Sequence, residues 1–328
     1  MKKRILSGMR PTGKLHLGHY FGVLQNWIAL QDEYDCYFMI ADWHALTSEW
    51  MHPQAIPRNV REIAADWIAA GVDPEKSCVF VQSEIPEHLE LNMILSCLTP
   101  LGWLERVPTY KEAREQLADK GVDNYAFLGY PVLQAADILL YKGNVVPVGE
   151  DQMPHLELTR EIVRRFHSHY GEGVFPEPAG KLTPTPRLMG LDDRRMSKSY
   201  GNTIDLSEDL ASVEKKVKGM FTDPNRKKRS DPGNPHVCNV YSFHGMLNTK
   251  DRIAQIETDC MTAKIGCVEC KAELAKHMVD WLRPIQERRM ELLSDPGKLD
   301  ALLARGNERA RAIAKSTMKE VRKAVFKA

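Results

Sequence analysis

Residues 8–20 read GMRPTGKLHLGHY, a stretch that lies between the apolar run Arg4-Ile5-Leu6-Ser7 and a run of helical spacing that begins near Leu17. A strand, a glycine-bearing turn and a helix, in that order, open a doubly wound α/β domain, whose ligands lie at the carboxyl ends of the strands. Glycines at 8, 13 and 18 let backbone approach a ligand closely, and the helix start is expected to aim its first amides at an anion. His16 and His19 fall on the first turn, where imidazoles hydrogen-bond phosphate oxygens as charge builds up in phosphoryl or nucleotidyl transfer. The same quartet also fits a plain helix start with two surface histidines. A second stretch about 180 residues later, Arg194-Arg195-Met196-Ser197-Lys198-Ser199, bears on the choice. It lies within Lys181–Gly201, rich in Pro, Gly and charge, which reads as a mobile loop.

Working outward, Cys36–Ala41 and Cys78–Val81 are continuous apolar runs, as buried parallel strands require, and Val145–Val148 is a third. Ile56, Val60, Ile63, Trp67 and Ile68 mark one face of a helix that Gly71 stops. Further helices are expected over Val132–Tyr141 and Gln152–Tyr170. The fold expected is a Rossmann-like sheet over 1–204 with a helical insertion at about 84–130, then an all-helical domain over 205–328 in which Ser207 caps the first helix. Gly149-Glu150-Asp151-Gln152 follows a strand, so Asp151 suits either ribose hydroxyls or a helix N-cap.

With 328 residues, 43% hydrophobic and 27% charged, the composition is that of an ordinary soluble protein. Apolar runs fall far short of the roughly 18 residues of a membrane span, and MKKRILSGMR lacks the apolar core of a signal peptide, so a cytoplasmic location is expected. The net charge is +1, but residues 301–328 carry eight Lys/Arg against two Asp/Glu, and Arg226-Lys227-Lys228-Arg229 is a second basic run. Either patch suits RNA phosphates or a solvated face. Cys36, Cys78 and Cys97 sit in apolar runs as packing residues. Cys238, Cys260, Cys267 and Cys270 instead fall within 33 residues and close on a Cys-x2-Cys pair, a tetrathiolate metal signal that leaves zinc and iron–sulfur open.

HLGH and RMSKS together resemble the HIGH and KMSKS signatures of class I aminoacyl-tRNA synthetases. Within that class, Leu133–Tyr141 and Val146–Gln152, followed by His155, Glu157, Thr159 and Arg160, are similar to the bacterial tryptophanyl-tRNA synthetases, as is Leu282–Arg288; the likeness covers nearly the whole chain. The resemblance implies ATP with Mg2+, L-tryptophan and tRNA(Trp) as reactants, a homodimer, and an anticodon-binding role for the helical domain. It implies His16, His19, Arg195 and Lys198 as the catalytic group. ATP would be held by Arg10, Pro11, Thr12, Gly18, His19, Gly149, Glu150, Asp151, Leu188, Arg195, Met196, Ser197, Lys198 and Ser199. Asp137, by itself readable as a surface carboxylate, would accept the indole N–H, with Tyr130 and Gln152 at the ammonium end and Leu6, Val146 and Val148 lining the pocket. A subset of these enzymes carries a 4Fe-4S cluster on such cysteines, which favours that group over structural Zn2+.

Four positions depart from the family pattern: Gln134 stands where many members have methionine, Arg10 and Thr109 where some have glutamine, and Arg195 where the loop has its first lysine. Tyrosyl-tRNA synthetases share the fold and both signatures, and a metal-bound RNA-binding protein with an inactive core is the alternative from another class.

Overall fold

The strands form where apolar runs are buried on both faces. In the computed structural model, which describes residues 2–107, 121–182 and 188–327, β1 (Arg4–Met9), β2 (Asp35–Ile40), β3 (Cys78–Val81), β4 (Val145–Val148) and β5 (Ala179–Leu182) make one parallel sheet in the order β3-β2-β1-β4-β5. Pairing puts Ser7 opposite Phe38, Tyr37 opposite Cys78 and Val146 opposite Gly180. β5 reads AGKL, too polar and too small to register as a strand; it is an edge strand, held by its ladder to β4. The Ile56–Ala70 helix buries Val60, Ile63 and Trp67, and Trp27 stacks on Phe38 at 4.4 Å while meeting Trp67 edge-on at 4.8 Å.

Between β3 and β4 the described chain is helical, with Glu87–Leu98, Leu101–Leu104 and Tyr125–Leu140. The last of these begins a full two turns before the expected Val132, because Asn124 caps it by accepting the Phe127 N–H and Pro131 is accommodated inside. Thr109 lies outside the described residues. Asp209, and not Ser207, caps the helix Leu210–Lys218. Among the described residues no helix is long and apolar enough to cross a membrane.

The chain divides into two compact units: 1–13, 26–185 and 292–328 form the first, and 14–25 with 186–291 the second. This differs from a single cut at 204, since the HLGH stretch falls in the second unit and the final helix in the first. That helix, Pro296–Phe326, covers the β3 edge of the sheet. Asn307 Oδ1 accepts the Val81 N–H at 2.9 Å, and Gly306 lies so close to the strand that a Cβ there would sit 1.8 Å from the Val79 carbonyl oxygen. Only glycine permits this approach. Gly306→Ala should therefore lower the unfolding free energy by about 1–3 kcal/mol or more, as overpacking does; an unchanged denaturant midpoint would show that the helix is not seated on Val79.

Candidate active site

The second unit pairs its two signature stretches through backbone: Leu17 N–H donates to the Ile204 carbonyl at 2.9 Å and Leu206 N–H to the Leu15 carbonyl at 2.8 Å. His16 sits at the N-cap in extended conformation, and its Nδ1 accepts the Gly18 N–H while His19 Nδ1 accepts the His16 N–H, both at 3.1 Å. This reciprocal cap has a chemical consequence. Each Nδ1 is an acceptor, so each proton resides on Nε2, and the two rings, 3.8 Å apart between centroids, offer two neutral N–H donors. Burial, reinforced by the Lys198 charge, lowers His16 to about 4; burial, then His16 and Lys198, lowers His19 to about 3. A Cβ on Gly18 would lie 2.9 Å from the His16 ring, which is why glycine stands there.

The amides expected to face an anion do not. Leu17 N–H goes to Ile204, Gly18 N–H to the His16 ring, and His19 and Tyr20 N–H to the His16 carbonyl. A π-helical turn, Tyr20–Leu24, follows, and Tyr20 and Phe21 pack on Trp281.

Within the segment Lys181–Gly201, read as a mobile loop, the described residues 188–201 are closed by the buried Asn202. Its Oδ1 accepts the Ser197 N–H at 2.9 Å, and its Nδ2 donates to Asp192 Oδ1 at 2.7 Å and to the Arg195 carbonyl at 3.1 Å. Hydrogen bonds from Asn202 foremost, and from Arg194, hold the Asp192 carboxyl at about 2. Met196 N–H donates to the Leu188 carbonyl, with both side chains buried, and Lys198–Tyr200 forms a 3-10 turn ended by Gly201 at φ 64. Arg195 and Lys198 are exposed.

The first unit holds Asp137, 2% exposed rather than on a surface. Its Oδ1 accepts from Gln82 Nε2 at 2.8 Å and from His88 Nδ1 at 2.6 Å, and its Oδ2 from His44 Nε2 at 2.7 Å. Burial alone would raise this carboxyl, but the His44 charge and the hydrogen bonds from His44 and His88 outweigh it and hold it at about 2. A carboxylate has about four acceptor sites, so the described residues fill three and leave one on Oδ2. Leu6, Val146 and Val148 belong to the same apolar core. Tyr130 lies 6.5 Å from His44 between ring centroids and bonds through its hydroxyl to His155 Nε2 at 3.2 Å. After β4, Gly149 leads into the turn Glu150–Gln152; both carboxylates are exposed, and Gln152 Nε2 donates to Asp151 Oδ2 at 2.9 Å. Asp151 caps no helix, since the next begins at Met153 with no side-chain cap. Arg10 Nη1 reaches Ser48 Oγ at 3.5 Å, and Pro11 is buried with Thr12 exposed beside it.

A pair of neutral imidazole donors beside a loop lysine, and a buried carboxylate with one vacant acceptor site, suit phosphate chemistry and N–H recognition. The model of the class I tRNA synthetases (W and Y) matches residues 1–283. The chain belongs to this family. A tryptophan–tRNA ligase of Thermotoga maritima is 48% identical over 98% of both chains, and one of Aquifex aeolicus is 44% identical over 98% of this chain and 99% of its own. The structure of a Campylobacter jejuni tryptophanyl-tRNA synthetase complexed with ADP and tryptophan is similar at a TM-score of 0.90 and 31% identity, covering 98% of this chain and 99% of that one.

The four clustered cysteines of this synthetase all lie in the second unit, half-buried: Cys238 before the helix Asn239–Leu247, Cys260 at the end of Lys250–Met261, Cys267 and Cys270 in the first turn of Cys267–Ser294. Arg226 Nη1 lies 3.9 Å from both Cys260 and Cys267 Sγ, fixed by Nη2 bonds to the Arg229 and Ile265 carbonyls. Burial foremost, then the other three thiols and Glu273, pushes Cys270 up to about 12. Sequence reasoning missed His44, Gln82 and His88, which had no local motif to mark them.

Because the unfolded chain takes up imidazole protons near 6.5 while the folded chain resists until about 4 at His16 and about 3 at His19, stability is full above 6.5 and falls as pH drops below it. Imidazole NMR resonances should show both rings neutral down to about pH 5; titration of either near 6.5 would remove the neutral-donor assignment.

Proposed function

We propose that the chain activates L-tryptophan with ATP and Mg2+ to tryptophanyl-adenylate and pyrophosphate, then transfers the aminoacyl group to the terminal ribose of tRNA(Trp), releasing AMP, as a tryptophan–tRNA ligase in the cytoplasm. The observation that carries the substrate choice is Asp137, an ionised carboxylate in an apolar core with one acceptor site vacant. A ligand without an N–H would leave that site unpaired, and sites built to hydrogen-bond a substrate reject such a ligand by up to about 10⁴–10⁵-fold in catalytic efficiency.

In the first unit, Asp137 accepts the indole N–H, Leu6, Val146 and Val148 enclose the ring, Tyr130 and Gln152 serve the ammonium end, and Gly149 with Glu150 and Asp151 takes the ribose. Arg10, Pro11 and Thr12 contribute to the ATP side. In the second unit, His16 and His19 donate their Nε2–H groups to phosphate oxygens, Leu188 offers apolar surface to adenine, and Lys198 with Arg195 offsets the charge that develops on the leaving pyrophosphate. The tryptophan carboxylate is the nucleophile at the α-phosphate, so no side-chain nucleophile is needed and positioning with electrostatics supplies the rate.

Cys238, Cys260, Cys267 and Cys270 would hold a 4Fe-4S cluster. Four half-buried cysteines gathered in one unit, with a fixed guanidinium beside two of them, support a group bearing negative charge. Bound there, the group supplies metal–thiolate bonds that staple the three helices near the exposed Lys227 and Lys228, bracing a surface for tRNA. The exposed Leu89, Met93, Leu101 and Tyr125 support a homodimer through the helical region between β3 and β4.

Tryptophan-dependent ATP–pyrophosphate exchange, with tyrosine as control and iron, sulfide and zinc assayed in the same sample, tests the reading. Exchange with tryptophan alone and about four irons per chain is expected; zinc in place of iron overturns the cluster, and no exchange overturns the activity. Lys198→Ala should lower adenylate formation by orders of magnitude with tryptophan affinity little changed, and equal loss of both would make Lys198 structural. Loss of the cluster should reduce tRNA charging more than exchange.

A further inference from the structure

Asp137 does not end its hydrogen-bond chain at His88. His88 Nε2 meets the Tyr141 hydroxyl at 2.8 Å while Nδ1 meets Asp137, and both His88 and Tyr141 are fully buried. Tyr141 is stacked on Tyr37 at 5.3 Å and leans on Phe80 at 5.1 Å, so its hydroxyl is fixed in place by packing. An ionised carboxylate only accepts, so the His88 Nδ1 that faces Asp137 Oδ1 carries the hydrogen. Nε2 of the neutral ring is then the acceptor for the Tyr141 hydroxyl, which burial and the nearby Asp137 charge keep protonated. An apolar residue at either position would fill the core without the cost of burying polar groups. What the polar chain adds is control over the acceptor.

We propose that His88 and Tyr141 are positioning residues for substrate selection: their hydrogen-bond relay fills Asp137 Oδ1 together with Gln82, fixes the plane of the carboxylate, and confines its vacant acceptor site to Oδ2, where a ligand N–H is read. Neither residue touches the ligand in this scheme. The proposal rests on Asp137 as the indole acceptor, and it adds that selectivity for the N–H is set one and two residues further into the core. Without His88, Oδ1 has a second vacant site that water or a proton can take. A protonated Asp137 is a donor, and the preference for an N–H is then lost.

The test compares the dissociation constants of L-tryptophan and of its benzothiophene isostere, in which sulfur replaces the indole N–H, on the full chain by calorimetry. Wild type should favour tryptophan by about 10-fold or more, as a hydrogen bond to a charged group does. His88→Leu should reduce that ratio by about 10-fold or more, and Tyr141→Phe, which keeps the stacked ring, by about 3–10-fold. His88→Asn, whose amide can occupy the Nδ1 position, should recover most of the ratio. If His88→Leu and Tyr141→Phe weaken both ligands equally while Asp137→Ala abolishes the ratio, the two residues are merely structural and the proposal falls alone. If Asp137→Ala leaves the ratio unchanged, the indole reading falls and takes the proposal with it. Should His88→Leu fail to fold, Tyr141→Phe decides between the same outcomes.

Discussion

An ionised carboxylate buried in the core is the constraint around which the first unit is built. Left unpaired, Asp137 would cost several kcal/mol or be protonated, so the fold must deliver donors to it. It does so from the carboxyl ends of two strands: His44 lies shortly after β2 and Gln82 directly after β3, with His88 on the helix that follows. The doubly wound sheet collects all three at the same edge, which is where this architecture places its ligands. Gln82 ties the arrangement together, since its Oε1 also accepts the His44 N–H at 3.4 Å.

The second unit solves a different problem, that of holding two hydrogen-bond donors side by side without a fixed positive charge at either of them. Two histidines that cap one another are locked into the same tautomer, and their burial beside Lys198 keeps them neutral. The cap engages the backbone amides within the turn, which leaves the imidazole Nε2–H groups, and not the helix N-terminus, as its donors. Lys198 carries the charge, and Asn202 shapes the turn before it through hydrogen bonds to three separate points of the loop. The helix that starts at Cys267 and Cys270 also bears Trp281 and Gln286, which hold the HLGH helix and the 206–208 segment, so one element links the thiols to the histidine turn.

Four of the five strands were legible because a buried parallel strand is a short apolar run with turn residues around it, and Cys78–Val81 and Val145–Val148 coincide with their runs. AGKL was illegible because its strand character comes from pairing with β4 and not from its side chains. The site followed the same rule. Histidines three apart and the cysteine spacing are local and could be read, whereas Asp137 and its partners are separated by 49, 55 and 93 residues, and only the crossovers of the sheet bring them together. Helix ends were misplaced where one side chain, Asn124 or Asp209, decided the cap.

Net charge along the sequence overstated the basic surface, for a reason that applies beyond this chain. All four arginines of residues 301–328 face acidic partners of the first unit: Arg305 with Glu75, Arg309 with Asp35, Arg311 with Glu87 and Arg322 with Glu90. In the 226–229 run, Arg226 is turned toward the thiols and Arg229 toward Glu269. A phosphate backbone responds to charges that are not already offset within a Debye length of about 8–10 Å. The exposed lysines at 227, 228, 315, 319, 323 and 327 are the basic groups of these stretches with no ion pair among the described residues, a sparser set than composition suggests, and the arginines fasten the final helix to the rest of the first unit.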